Sequence, residues 1–203
     1  FSIACSIASL LGLERIRLGA RESFNNTISL TGLVVGARTS PLQLLLYSVF
    51  HLGDPTQNIS FKTFEYFKNH PAVDWVIPIS LGDSHEGYRV VATNSNFYNH
   101  YRFRVDQSLS FAAGKAAVGV FDVVVGAEVA KSLKYKVGDS IVISHGISDS
   151  FLKHDDKPFR VVGILNSTLT PIDRSVYISL EGMEAIHMDW QNGVAPEPGN
   201  GIS

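Results

Sequence analysis

The chain has 203 residues, with 17 Lys and Arg against 19 Asp and Glu and a formal net charge of −2. This near-neutral balance, with no basic run longer than ERIRLGAR, argues against nucleic acid as a partner. A content of 45% hydrophobic and 18% charged residues argues against disorder, and the single cysteine, Cys5, excludes an internal disulfide without fixing the compartment.

Residues 1–13 (FSIACSIASLLGL) carry no charge and fall short of the about 20 residues that cross a bilayer. Two readings stand: a buried core helix, or the outer end of a transmembrane helix that starts upstream, with Glu14-Arg15-Ile16-Arg17 at the membrane surface. ERIRLGARESF over 14–24 continues in helical period, with Leu13, Ile16 and Ala20 on one side and Phe24 four further on. Asn25-Asn26 suits a helix stop. ISLTGLVV over 28–35 is apolar and β-branched and reads as a strand closed by Gly36.

Ser40 and Pro41 suit an N-cap and a first helical position, and PLQLLLYSVF then makes a short, very apolar helix. Leu42, Leu44, Leu45, Tyr47 and Phe50 are the candidate surface of the chain. Either they pack in the core, or they form a patch facing the bilayer, a partner or a hydrophobic cargo. Ser60 caps a further helix to Asn69, whose Phe61, Phe64 and Phe67 form a stripe read as core. His70-Pro71 stops it. VDWVIPIS over 73–80 reads as a strand, edge or bulged at Pro78, so that strand, helix and strand give a βαβ unit.

LGDSHE over 81–86 reads as a turn and GYRVVAT over 87–93 as a strand. Phe97, Tyr98, Tyr101 and Phe103 cluster with only His100, Arg102 and Arg104 beside them. That is thin support for base stacking, and packing or a protein-facing surface is the better reading. Segment 108–118 reads as loop with a short helix. DVVV over 122–125 is a strand, and AEVAKSL after Gly126 is a helix with Val129 and Leu133 on one face. SIVIS over 140–144 and PFRVVGIL over 158–165 read as a hairpin around a polar loop. SVYIS over 175–179 is a strand, and 180–190 a helix with Met183, Ile186 and Trp190 on one stripe. The Pro/Gly-rich 191–203 is a linker.

The seven histidines include no pair at i, i+4 and no HExxH, so the sequence yields no zinc site. Asp83, His85 and Glu86 share one stretch and could meet a cation, but lack the ligand number that calcium takes. There is no P-loop motif and no GxSxG. No catalytic, cofactor-binding or metal residue is assigned, and no cofactor is expected.

The order VVVGAEVAKSLKYKVGDSIVI then FRVVGIL is preceded by LERIRLGARESF, ISLTGLVVGAR and NHPAVDWVIPISLGD, and followed by DRSVYISLEGMEAIH. It resembles the periplasmic core domain of MacB-type ABC transporter permeases, the group that includes the lipoprotein-releasing permeases, over about 12–187. The resemblance implies an α+β fold: a porter-like βαβ subdomain (25–93 and 170–190) with an inserted β-rich, sabre-like subdomain (94–169). Residues 1–24 would be the outer end of the first transmembrane helix and its extension, and the polypeptide would continue past 203. It further implies a periplasmic domain on the bacterial inner membrane, coupling motion driven by a separate ATPase subunit to export or extraction of a substrate. Partners would be that ATPase, a second permease copy and a periplasmic protein. The chain itself would not be an enzyme. Two readings compete. A soluble α+β enzyme with an unrecognised active site requires 1–13 to be buried and a pocket of pKa-shifted polar groups. A barrel-like ligand module is the other, since VGDxIxI hairpins occur in unrelated barrels.

Overall fold

The computed structural model describes residues 2–53, 57–146 and 157–188, with the backbone alone for 20–26. The first helix, α1 (Ser2–Thr27), is continuous over 26 residues, about 39 Å at 1.5 Å per residue. Ser2–Leu13 is exposed throughout, so the reading of 1–13 as a core helix is corrected for these residues. No helix among the described residues is long and apolar enough to cross a membrane.

Next come α2 (Pro41–Ser48) and α3 (Phe61–Lys68), each started as the sequence suggests. The Ser40 hydroxyl accepts from the Gln43 amide at 3.1 Å, and the Ser60 hydroxyl from the Thr63 amide at 3.2 Å. Both helices lack a fully buried residue. Phe61 is 73% exposed and Phe64 and Phe67 are half-buried, which corrects the reading of the α3 stripe as core.

The remaining elements are β1 (Ser80–His85), β2 (Tyr88–Thr93), α4 (Ser95–His100), β3 (Arg102–Phe103), β4 (Gln107–Ser108), β5 (Phe111–Gly114), β6 (Asp122–Val125), α5 (Ala127–Leu133), β7 (Ser140–Ile141), β8 (Ser144–His145), β9 (Phe159–Leu165), a 3-10 turn (Pro171–Arg174), β10 (Ser175–Ser179) and α6 (Leu180–His187). The main sheet has the order β5-β9-β6-β10-β2-β1-β8, with β7 also on β9; β3 and β4 pair separately. Strands on either side of the expected boundary at 93–94 thus share one sheet. It is mixed: β6 with β9 and β2 with β10 are parallel, the other pairs antiparallel. The sheet runs open from β5 to β8, which does not match a closed barrel.

Alternation along the central strands divides the core in two. Val90, Ala92, Val123, Val125, Val176 and Ile178 face one side with Val129 of α5 and Ile186 of α6. Val91, Val124 and Tyr177 face the other, with Phe97 and Tyr98 of α4, Leu165 and Ile172. Strands buried on both faces read as unbroken apolar runs, and DVVV, FRVVGIL and SVYIS were therefore legible.

Several expectations change. No strand forms over 28–35: beyond one bridge from Ser29 to Arg102 the segment has no ladder, and Leu33 is exposed. Residues 73–79 are likewise irregular, so the βαβ unit read across 28–80 does not form there. A strand-helix-strand unit with parallel strands occurs later, as β6, α5 and β9. The supposed turn at 81–86 is strand β1. The hairpin turn is Glu86-Gly87, both with positive φ (47° and 79°), the signature of a tight two-residue loop. Segment 108–118 holds β5 rather than a helix. The run 140–144 is split: β7 pairs with β9 as expected, but β8 leaves to join β1. Trp190, the linker over 191–203 and the loop over 147–156 lie outside the described residues.

Candidate functional site

The site grows from an irregularity in β1. Leu81 pairs with Val91, but Ser84 pairs with Arg89, so one extra residue is inserted between them. Such a bulge swaps the face that later side chains occupy. Leu81 packs in the Tyr177 core, whereas Asp83 and His85 turn to the face covered by α5 and α6. Gly82, within the bulge, has open space where a side chain would stand.

Two histidines reach Asp83 from other elements. His145 ends β8, which pairs with β1 opposite Asp83, and places Nδ1 3.3 Å from Asp83 Oδ1. His187 closes α6 and places Nε2 3.5 Å from Asp83 Oδ2. The two ring nitrogens are 3.2 Å apart. The position of α6 follows from its first turn. Ser179 caps it, accepting from the Gly182 amide at 2.9 Å. A Cβ at Gly182 would lie 2.4 Å from the Val120 carbonyl oxygen, so only glycine lets the helix settle this close. At the other end the His187 Nδ1 donates to the Met183 carbonyl at 2.8 Å. That bond fixes the ring and, in the neutral imidazole, leaves the Nε2 lone pair aimed at the cluster.

Asp83 is 1% exposed. The Gly146 amide approaches Oδ1 at 3.4 Å, and Oδ2 has no hydrogen-bond partner. Burial pushes the Asp83 carboxyl above the usual carboxylate range, opposed by the charges that His187 and His145 can carry. His85, two residues on, is committed elsewhere. Its Nδ1 donates to the Val142 carbonyl at 2.6 Å, and its Nε2 accepts from the Tyr135 hydroxyl at 2.7 Å. Glu86 sits in the hairpin turn. The grouping of Asp83, His85 and Glu86 considered from sequence is therefore not the one that converges. Among the described residues, Asp83, His145 and His187 are the group that could hold a metal ion.

The apolar surface proposed from sequence lies on and just after α2. Leu42 is 67% exposed; Leu44, Leu45, Tyr47 and Phe50 are half-buried, with Tyr47 against the Tyr177 core. Leu46, not named from sequence, is exposed as well.

The family model of MacB-like periplasmic core domains matches residues 1–199, and the chain belongs to that family. Among solved structures it is similar to the extracellular domain of the noncanonic ABC-type transporter YknZ from Gram-positive bacteria, at 14% identity and a TM-score of 0.43, over 63% of this chain and 65% of that one. It is also similar to a domain of a protein described as a permease from Porphyromonas gingivalis, at 13% identity and a TM-score of 0.40, over 68% of this chain and 67% of that one. No curated protein matches.

Proposed function

We propose that the chain is the extracytoplasmic domain of an ABC transporter permease, and that α1 carries motion from the membrane into the sheet domain. Family membership supports the first part. The observation that carries the second is α1 itself. Ile3, Ile7, Leu10, Leu11 and Leu13 are all exposed, at about 100° per residue they spread over nearly half of the helix circumference, and no charged residue stands on the remainder of Ser2–Leu13. A helix apolar on so many sides calls for an apolar surrounding. The uncharged Ser2–Leu13 would stand in the outer bilayer, and 14–27 would rise about 21 Å above it.

The far end of α1 is tied to the domain. The Tyr101 hydroxyl donates to the Thr27 carbonyl. The Ser29 amide donates to the Arg102 carbonyl at 2.9 Å, and the Val105 amide to the Ser29 hydroxyl at 3.1 Å. A displacement of α1 would therefore pull on β3 and its turn. In this reading a separate ATPase subunit supplies the motion, a second permease copy and a periplasmic partner complete the assembly, and the domain lies on the periplasmic side of a bacterial inner membrane. Leu42 and Leu46, with the half-buried Leu44, Leu45, Tyr47 and Phe50 behind them, form the surface offered to an apolar cargo or partner.

The test uses the full permease with its ATPase. A spin label at Val105→Cys, in a Cys5→Ser background, should change its spectrum between nucleotide states. Leu18→Pro, which breaks an exposed helix interior, should abolish that change while ATP hydrolysis persists. A nucleotide-dependent change that survives the proline would remove α1 from the pathway.

A further inference from the structure

We propose that Asp83, His145 and His187 form a binding site for one divalent transition-metal ion of the zinc type, which clamps α6 to the β1–β8 edge of the sheet. The donor set is two imidazole nitrogens and a carboxylate, the combination that borderline cations prefer over the all-oxygen shells of calcium and magnesium. The spacing fits. Ligands 2.0–2.1 Å from a tetrahedral zinc stand about 3.3–3.4 Å from one another. Here the two nitrogens are 3.2 Å apart, and each stands against its own oxygen of the Asp83 carboxylate, His145 Nδ1 3.3 Å from Oδ1 and His187 Nε2 3.5 Å from Oδ2. One ligand atom from each residue lies within 4.8 Å of the other two, so an ion at the centre of this triangle of side chains would reach all three after small side-chain adjustments and keep a position for water.

A second observation points to a cation independently of the spacing. Asp83 is almost wholly buried, and its Oδ2 has no hydrogen-bond donor although it faces His187. A buried carboxylate oxygen without a donor is costly unless a positive charge stands against it. The surroundings are also built in the manner of metal sites. The His187 Nδ1 is held by the Met183 carbonyl, the outer contact that orients a ligating imidazole. The three ligands come from a strand beside a bulge, the edge strand paired with it and a helix end, so an ion would fasten α6 to the β1–β8 pair.

The alternative occupant of the triangle is a proton shared among the same three groups, and one experiment separates the two. Chelator-treated full chain is titrated with zinc chloride by calorimetry, and with cobalt chloride by visible spectroscopy. One zinc per chain and a tetrahedral cobalt spectrum are expected, with no binding of magnesium. His145 and His187 are partly exposed, so His145→Gln and His187→Gln should leave far-ultraviolet circular dichroism unchanged. Loss of a direct ligand should weaken zinc binding by at least about 100-fold, since outer-shell changes alone cost 10–100-fold. Zinc should raise the thermal midpoint of the parent chain and not of the double variant. Absence of zinc binding, or binding of equal affinity in the double variant, overturns the site and assigns the cluster to a shared proton or the ion to other histidines. Neither outcome depends on the place of the domain in a transporter.

Discussion

In the sheet, Val123, Val124 and Val125 are wholly buried in sequence, each facing one of two packed cores. In α1, Ile3, Leu10, Leu13 and Ile16 stand exposed, and Leu42, Leu46 and Phe61 continue that exposure through α2 and α3. The residue types are the same; the partners are not. Every central strand has a neighbour on each side and a helix or loop over each face. Among the described residues, the segment from α1 to residue 79 forms no strand, and its one β-bridge is the tie from Ser29 to Arg102. Folding stability therefore resides chiefly in the described residues of 80–188 and in the few earlier side chains, such as Val49 and His51, buried in the domain, while the outer faces of α1, α2 and α3 hold exposed apolar surface.

Substitutions should separate the two regions by size of effect. Phe159→Ala empties a fully buried position between β9 and its helices and should lower unfolding free energy by about 3–5 kcal/mol in a urea titration. Asp173→Ala comes next. Its carboxylate accepts from the Thr168 amide and hydroxyl, the Ser167 hydroxyl and the Leu169 amide at 2.7–2.9 Å. Removing it strands these donors under the 3-10 turn, for a loss of about 3 kcal/mol.

His51 gives a pH-dependent test. Burial, with Arg89 adding repulsion, lowers its pKa to about 4, and its Nδ1 meets the Ser175 hydroxyl at 2.9 Å. Above pH 6.5 the ring is neutral in both folded and unfolded chains. As pH falls below that, the unfolded chain binds the proton first, and stability declines until the folded pKa is reached. Between pH 7 and 5 the loss should be about 2 kcal/mol. His51→Asn, chosen because asparagine tolerates the +54° φ at this position, should remove that component of the slope. The smallest effects belong to the exposed positions of α2 and α3: Leu42→Gln and Phe61→Gln should each change stability by less than about 0.5 kcal/mol.

The same contrast explains what could be read from sequence. The strands β6, β9 and β10 announce themselves because burial on both faces demands unbroken apolar runs. The Ser40 and Ser60 caps are local chemistry and were legible for that reason. The run at 28–35 has strand composition, but composition cannot supply a partner, and none pairs with it beyond Ser29. β1 was hidden by its polar SLGDSH sequence and its bulge; Gly82 within it and the Glu86-Gly87 pair after it were the available signals. The Asp83, His145 and His187 cluster could not be found by helical spacing. It depends on β8 crossing to β1 and on α6 following β10, which are facts of topology.

The central claim is that the exposed apolar residues of α1 belong in a membrane. Cys5, the single cysteine of these 203 residues, is exposed among them and provides the probe once any cysteine elsewhere in the permease is replaced by serine. In the membrane-embedded permease, a polarity-sensitive fluorophore on Cys5 should be quenched by lipid-borne quenchers and protected from water-soluble ones. The same label at Val105→Cys in a Cys5→Ser background should respond in the opposite way. Equal and rapid quenching of both sites from water would contradict the account and place this part of α1 in solvent.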